Sequence, residues 1–224
     1  MNAMKKNKQM SEKIIIGMIL AFVGGFLDAY TYICRGGVFA NAQTGNIVLL
    51  GIKLAQGNFL ESWKYVIPII AFVLGVFIVE VIRKRYKDSA RVHWRQIIIV
   101  CEMFVLIGIT FIPNGSWYDT LANVLVSFVC SLQVQGFRKF NGNAMATTMC
   151  TGNLRSATEL LCRYADNKDR RELQSALQYL AIISIFIIGA AIGAIVSNII
   201  GVRTVVFSCI GLAAVFSLML INNQ

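Results

Sequence analysis

Residues 42–46 read Ala-Gln-Thr-Gly-Asn, and the tripeptide Thr44-Gly45-Asn46 returns as Thr151-Gly152-Asn153. The two copies are 107 residues apart in a chain of 224. Each copy follows an apolar stretch of helical length and opens a shorter stretch of mixed polarity. This order indicates one structural unit that occurs twice. A short helix with a polar N-terminus inside a bilayer is, in turn, a place to hold a solute.

The composition indicates a membrane protein. Hydrophobic residues make up 57% of the chain and charged residues 14%, and the mean hydropathy is +0.66, which is too apolar for one soluble core of this length. The first apolar run contains Asp28 and lacks a small-x-small cleavage site, so we expect a retained helix and not a signal peptide. Six runs approach or exceed the ~20 residues that span ~30 Å of hydrocarbon; they cover residues 14–33, 65–82, 96–112, 120–134, 176–200 and 204–221.

The basic residues predict the orientation in the bilayer. The net charge is +10, but these residues flank apolar runs and belong to no nucleic-acid-binding motif, so no nucleic acid partner is expected. With a cytoplasmic N-terminus and six crossings, 17 of the 21 Lys and Arg residues lie inside. Eight crossings would split them evenly and place Arg155 within a span. The positive-inside rule therefore predicts six crossings, with both termini in the cytoplasm.

Six crossings give three per repeat, and because three is odd, the second copy is expected to be inverted. We therefore predict an all-α polytopic membrane protein with six transmembrane helices and two short re-entrant half helices, arranged as two inverted-topology repeats. The predicted division is a cytoplasmic tail at 1–13, a first repeat at 14–112, an outer loop at 113–118 and a second repeat at 119–224. The outer loop contains no Lys or Arg, as expected for an external connection.

Polar residues near the two tripeptides form the candidate site. The offset of 107 pairs Asp28 with Gln135 and Asn41 with Thr148. A helix that begins at depth leaves about four N–H groups unpaired; Thr or Asn oxygens can cap some of them, and the helix dipole favours an anion or a polar solute. A structural role, in which the tripeptides only cap and pack, stays open. The predicted substrate-binding residues are Asp28, Gln43, Thr44, Asn46, Gln135, Thr151 and Asn153.

Other chemically active residues have simpler interpretations. Asp28 inside a span is expected either to serve as a proton or cation relay facing a cavity, or to be tied to Arg138 or another buried donor. Glu80 is expected to pair with Arg83 on a helix end, and His93 to be solvated in a basic loop. The six cysteines show no C-x-x-C spacing and no histidine cluster, which predicts buried free thiols and no metal site; they are Cys34, Cys101, Cys130, Cys150, Cys162 and Cys209.

The strings FLDAYTY and VFANAQTGNIVLLG, between Gly25 and Gly51, resemble the first conserved block of the YoaK family of bacterial integral membrane proteins. Residues 133–161, which contain TTMCTGNL, are similar to the second block of that family. The second copy departs from the first in Arg138, Lys139 and Cys150. The resemblance implies a bacterial inner-membrane location and supplies no substrate, because the family is uncharacterised.

These features together predict a membrane transporter or channel for a small polar or anionic solute, without a cofactor or metal. The alternative is a non-transporting sensor or assembly component in which the tripeptides are structural. A membrane enzyme would need an acid and a base in one cavity, and Asp28 with Glu102 is the only pair that the sequence offers. No recognised catalytic motif is present, so we expect no enzyme. The expected partners are the solute and the lipid bilayer, and a homo-oligomer stays open.

Overall fold

Eight α-helices make up most of the structure, a computed structural model that describes residues 10–87 and 93–221. The predicted tail as far as residue 9, residues 88–92 of the basic loop and the last three residues lie outside the described residues. A 3-10 helix, Met10–Glu12, precedes α1, and a second, Gly201–Phe207, joins α7 to α8. The strands Lys139–Phe140 (β1) and Asn143–Ala144 (β2) pair antiparallel before α6. The helices are α1 (Ile14–Cys34), α2 (Gln43–Ala55), α3 (Phe59–Tyr86), α4 (Trp94–Thr110), α5 (Ser116–Gly136), α6 (Cys150–Asn167), α7 (Arg170–Ile200) and α8 (Ser208–Ile221).

The predicted apolar runs coincide with six of these helices, and the described chain fits an all-α membrane protein. Three described segments are long and apolar enough to cross a bilayer: Ile14–Cys34, Phe59–Tyr86 and Arg170–Ile221, the last of which contains α7 and α8. The outer face of α3 is apolar, as lipid contact requires; its exposed side chains include Ile70, Val73, Leu74, Phe77 and Val81. The last predicted run, 204–221, begins as 3-10 helix and becomes α-helical at Ser208.

The helices end at two opposite ends of the bundle. At the end here termed the Arg95 end, Arg95 of α4 donates to Ser11 Oγ at 2.7 Å and to Gly136 O of α5 at 2.9 Å. At the end termed the Arg35 end, Arg35 follows α1 and pairs with Asp119 Oδ1 of α5 at 3.1 Å. Helices α1 and α4 therefore begin at the Arg95 end, whereas α5 begins at the Arg35 end and runs back.

Helix pairing repeats between the two halves of the chain. Each half contains a long helix, a shorter helix and two further helices, so that α1 corresponds to α5 and α3 to α7. In agreement, α1 packs most extensively on α7 and α3 on α5, while α2 packs on α3 as α6 packs on α7. Because Gly189 lies against Phe22 and Gly193 against Phe26, α1 and α7 run parallel.

The corresponding helices α1 and α5 run antiparallel. Gln133 Nε2 of α5 donates to Leu20 O of α1 at 3.2 Å. Asn123 Nδ2, nearer the start of α5, donates to Arg35 O just beyond α1 at 2.8 Å. An early part of each helix thus meets a late part of the other.

The chain between α1 and α2 folds back along α1. Ala40 N donates to Thr31 Oγ1 at 3.4 Å, and Asn41 N donates to Asp28 Oδ1 at 3.3 Å. Asn41 Nδ2 donates to Gly24 O at 3.1 Å, which lies halfway along α1. Helix α2 therefore begins in the interior of the bundle. The next helix, α3, starts at the Arg35 end, because Lys64 and Tyr65 of its first turns line a cavity together with Arg35.

The chain between α5 and α6 makes the corresponding return from the other end. Thr147 Oγ1 accepts from Gln133 Nε2 at 2.7 Å, and Thr148 Oγ1 lies 3.5 Å from Cys130 Sγ. Thr148 also packs against Gly24, where an added Cβ would lie 2.7 Å from its methyl group. Both returning segments consequently meet at the same point of α1.

Candidate functional site

A cavity of about 440 Å³, here termed the central cavity, lies where the two returning segments meet. Residues at and before the starts of α2 and α6 form much of its wall. Asn41 and Thr148, which the repeat offset pairs in sequence, both belong to this wall. The remaining wall comes from α3 and α5; the complete lining is residues 41–44, Phe72, Cys130, Val134 and residues 148–152.

Two further cavities continue the central one along α5. The Arg35-end cavity, of about 450 Å³, includes Asn123 of α5, Asn46, Pro68 and Lys64 in its wall. The Arg95-end cavity, of about 350 Å³, is lined by Val134, Gln135, Arg138 and residues 144–146. Residues 123, 127, 130 and 134 follow one face of α5 at helical spacing. The three cavities therefore form a series beside that face.

Helices α2 and α6 begin at the central cavity without a side-chain cap in the described structure. Each tripeptide lies inside the first turn, because α2 starts at Gln43 and α6 at Cys150. The expectation that tripeptide oxygens cap these helices is therefore wrong. The first N–H groups of a helix point out of its N-terminus, so this edge of the cavity is electropositive.

The two tripeptide asparagines make different contacts. Asn153 is buried; its Nδ2 donates to Ala146 O at 2.6 Å and its Oδ1 accepts from Ala146 N at 3.2 Å. It thereby holds the returning segment before α6. Asn46 is also buried, but its Nδ2 donates to Gln43 Oε1 at 3.1 Å, and it lines the Arg35-end cavity.

The structure brings together part of the predicted site. Gln43, Thr44 and Thr151 line the central cavity. Asp28 contacts this wall indirectly, because its Oδ1 accepts a hydrogen bond from the backbone N–H of Asn41, a lining residue. Gln135 lies elsewhere, since its Nε2 donates to Glu80 Oε1 near the Arg95 end.

The alternative tie of Asp28 is made by another buried donor, the backbone N–H of Asn41, and not by Arg138. Asp28 accepts a hydrogen bond from Asn41, whereas Arg138 lines the Arg95-end cavity. The predicted pair of Glu80 with Arg83 is confirmed at 3.0 Å.

A buried arginine cluster at the Arg35 end was missed by sequence reasoning. The Arg35 side chain is fully buried, and its guanidinium donates to Tyr30 Oη, Ile112 O and Pro113 O at 2.8 Å each and to Asp119 Oδ1 at 3.1 Å. Four charge-assisted contacts make this a strong tie between the two halves. The one sequence signal for Asp119 is that it is the single acidic residue among residues 113–119.

His93 is not the solvated side chain expected from its basic loop. It is half-buried and caps α4: its Nδ1 accepts from Arg95 N at 3.3 Å, and its own N–H donates to Gln96 Oε1 at 3.2 Å. Burial lowers the pKa of His93, and the nearby Arg95 charge lowers it further.

The remaining residues that could carry chemistry are the six cysteines and Glu102. All six cysteines are free, but only Cys130 is fully buried and Cys162 is exposed, so the expectation of buried thiols holds for Cys130 alone. Glu102 is fully buried, and neither carboxylate oxygen has a hydrogen-bond partner within the part of the chain that the structure describes. Across residues 10–87 and 93–221, no group of three His, Cys, Asp or Glu residues could hold a metal ion.

Comparisons with known proteins agree with a membrane protein. The profile of a family described as protein of unknown function, DUF1275, matches residues 16–218. The chain is 26% identical over 188 residues to the UPF0700 transmembrane protein YoaK of Bacillus subtilis (strain 168), an alignment that covers 79% of this chain and 80% of that protein. No solved structure matches the chain.

Proposed function

We propose that this chain, which belongs to the DUF1275 family, is a membrane transporter or channel for a small polar or anionic solute. The observation that carries the proposal is the series of three cavities beside one face of α5. A solute that follows this face passes Asn123, Cys130 and Val134 in turn. The interior position of both short helix starts supports a binding site midway along the path.

The proposed membrane topology has six crossings and two inverted repeats, with α2 and α6 as re-entrant half helices. The antiparallel course of α1 and α5 supports inversion, because corresponding helices of inverted repeats cross in opposite directions. The return of both segments to Gly24 supports re-entry from opposite faces. The Arg95 end is then cytoplasmic, as are both termini, in a bacterial inner membrane.

Cysteine accessibility tests this topology. Leu60 is 92% exposed near the start of α3, and Lys87 is exposed just after its end. Leu60→Cys should react with a membrane-impermeant maleimide added outside intact cells, and Lys87→Cys only after the cells are opened. Reaction of both positions from the same side would contradict the proposed course of α3.

The class of solute follows from the groups along the path. The starts of α2 and α6 have no side-chain cap in the described structure, and the positive ends of their helix dipoles face the central cavity. Lys64 lines the Arg35-end cavity, and Arg138 lines the Arg95-end cavity. Positive groups at both mouths and partial positive charge between them favour an anion or a solute rich in hydrogen-bond acceptors.

Liposome flux tests the function. Purified full-length protein in liposomes should accelerate the uptake of at least one of glycerol, urea, potassium acetate and potassium phosphate, measured by light scattering after an osmotic step. Two single-cysteine forms provide a matched pair on α6, because Cys150 lines the central cavity and Cys162 is exposed. A bulky thiol reagent should block flux in the Cys150 form and leave the Cys162 form active. Equal inhibition, or no protein-dependent flux, would contradict the proposal.

A second candidate is a non-transporting membrane component in which the tripeptides are structural. The double contact between Asn153 and Ala146 favours this function, since it makes the second tripeptide a brace. We propose no enzymatic role. Asp28 is bonded to the Asn41 backbone, and neither Asp28 nor Glu102 is among the described residues that line the central cavity.

A further inference from the structure

A hydrogen-bonded layer lies between the Arg35-end cavity and the central cavity. Gln43 Nε2 donates to Ser127 Oγ and to Ala40 O, the latter at 3.0 Å. Ser127 Oγ in turn donates to Pro68 O of α3 at 3.3 Å. Asn46 Nδ2 completes the layer by donating to Gln43 Oε1 at 3.1 Å. Side chains of α2 and α5 and the backbone of α3 are thus joined across the path.

The order of residues on each helix places this layer between the two cavities. On α5, fully buried Ser127 lies between Asn123 of the Arg35-end cavity and Cys130 of the central cavity. On α3, Pro68 lines the first cavity and Phe72 the second, one helical turn away. Helix α2 repeats the pattern, because Asn46 belongs to the Arg35-end cavity and Gln43 to the central cavity.

We propose that the Gln43–Ser127 hydrogen bond is the closed gate between the Arg35-end cavity and the central cavity. The proposal rests on the transport function proposed above and gives Gln43 a role other than solute binding. The layer can open without a helix movement, because the contact between α2 and α5 is made by two side chains. Rotation of the Gln43 side chain alone would break its hydrogen bond to Ser127. At the other side of the central cavity, Val134 lines both the central and the Arg95-end cavity, so the two cavities adjoin at this residue.

Native Cys150 provides a reporter behind the proposed gate. In a form whose only cysteine is Cys150, an impermeant anionic thiosulfonate added to right-side-out vesicles must pass the layer to react. Gln43→Ala and Ser127→Ala each remove one partner of the bond. Both should raise the rate of modification about fivefold, the shift expected from one lost hydrogen bond. Thr120→Ala is the matched control, since Thr120 lines the Arg35-end cavity but bonds only to Ser116 O of its own helix in the described contacts.

Inside-out vesicles distinguish a gate from general loosening. Reagent that enters from the Arg95 end does not cross the layer, so Gln43→Ala and Ser127→Ala should react at the parent rate in that orientation. An unchanged rate in right-side-out vesicles would overturn the gate and leave the transport proposal standing. An equal rise from both sides would also overturn it, because the substitutions would then loosen the whole bundle. Failure of Cys150 to react from either side would overturn both the gate and the path.

Discussion

Two helix pairs, α1–α7 and α3–α5, each join the two halves of the chain, and they differ in how closely they pack. In the α1–α7 pair, an added Cβ on Gly25 would lie 2.0 Å from Phe186 O, and one on Gly189 would lie 2.2 Å from Phe22 O. Each helix therefore packs glycine against the backbone of the other. Such contacts leave no atom that can rotate away, so this pair acts as the rigid part of the bundle.

In the α3–α5 pair, the close contact of Gly75 is made with a side chain as well as with the backbone. An added Cβ on Gly75 would lie 1.7 Å from Ser131 Oγ, a hydroxyl that can rotate, and 3.0 Å from Phe128 O. Both helices of this pair line the Arg35-end and the central cavity, and Ser127 of α5 accepts a hydrogen bond from Gln43 of α2. The α1–α7 pair thus packs backbone against backbone, whereas the α3–α5 pair also packs on a side chain that can rotate. Such a difference suits the transport function proposed above, which needs one face of the bundle to move.

The largest expected effect concerns the tie between α1 of the rigid pair and α5 of the adjustable pair. Asp119→Ala leaves the buried Arg35 guanidinium without its carboxylate, and breaking a buried ion pair costs about 3–5 kcal/mol. We expect a loss of that size in the free energy of unfolding, measured by titrating mixed micelles with a denaturing detergent.

Two variants control this prediction. Thr120→Ala, one residue further along α5, should change the free energy of unfolding by less than ~0.5 kcal/mol. The double variant Arg35→Met, Asp119→Leu removes both charges and should recover part of the loss. A loss for Asp119→Ala no larger than that for Thr120→Ala would show that the ion pair does not hold the two helix pairs together.

The next prediction compares the two pairs directly. Gly25→Ala drives a methyl group into the Phe186 backbone and should lower the free energy of unfolding by about 1–3 kcal/mol, the usual cost of overpacking. Gly75→Ala meets the Ser131 hydroxyl and should cost less than Gly25→Ala. Gly108→Ala is the control, because an added Cβ there meets nothing within 4 Å and should stabilise α4 by about 0.5–1 kcal/mol. Equal losses at Gly25 and Gly75 would remove the distinction between a rigid and an adjustable pair.

A smaller effect should separate the two tripeptide asparagines. Asn153→Ala leaves the N–H and C=O of Ala146 without their partner and should cost about 1–3 kcal/mol of unfolding free energy. Asn46→Ala removes one contact to a side chain, Gln43, and should cost about 1 kcal/mol. The same detergent titration measures both. If Asn46→Ala proves the more destabilising, the first tripeptide is the brace and the assignment of roles reverses.

Much of the helix pattern was readable from the sequence, because apolar length and turn residues are local signals. The offset of 107 even paired Asn41 with Thr148, which the structure brings to one cavity wall. In the inverted-repeat arrangement proposed above, corresponding residues near the twofold axis lie close together, which would account for this pairing. The same offset paired Asp28 with Gln135, and these two do not meet at the cavity.

The failures concern residues whose partners are distant in sequence. Gln135 donates a hydrogen bond to Glu80, and Arg35 donates one to Asp119. These partners are 55 and 84 positions apart in sequence, and no spacing rule predicts contacts over such distances. The tripeptides show a similar limit. Identical residues in two copies gain different partners, because Asn153 faces the Ala146 backbone and Asn46 faces the Gln43 side chain. Tertiary contacts, rather than the motif, decide which copy is a brace and which belongs to the layer.

The smallest effect concerns the start of α4, where Arg95 ties α4 to Ser11 and to the end of α5. His93 must be neutral at Nδ1 to accept the Arg95 N–H, and burial together with the Arg95 charge lowers its pKa in the folded protein, against a smaller opposing effect of Glu12. The unfolded chain therefore binds a proton first, at its ordinary pKa of about 6.5, so stability is full above that pH and falls as the pH drops below it. The loss in the free energy of unfolding should stay below about 1 kcal/mol, the usual value of a helix N-cap.

The variant His93→Asn tests this pH dependence. It keeps an acceptor at this position without titrating there, and should flatten the dependence of the unfolding midpoint on pH between about 7.5 and 5.5. Identical pH profiles for both proteins would contradict the prediction, because protonation of His93 would then not be linked to the stability of the start of α4.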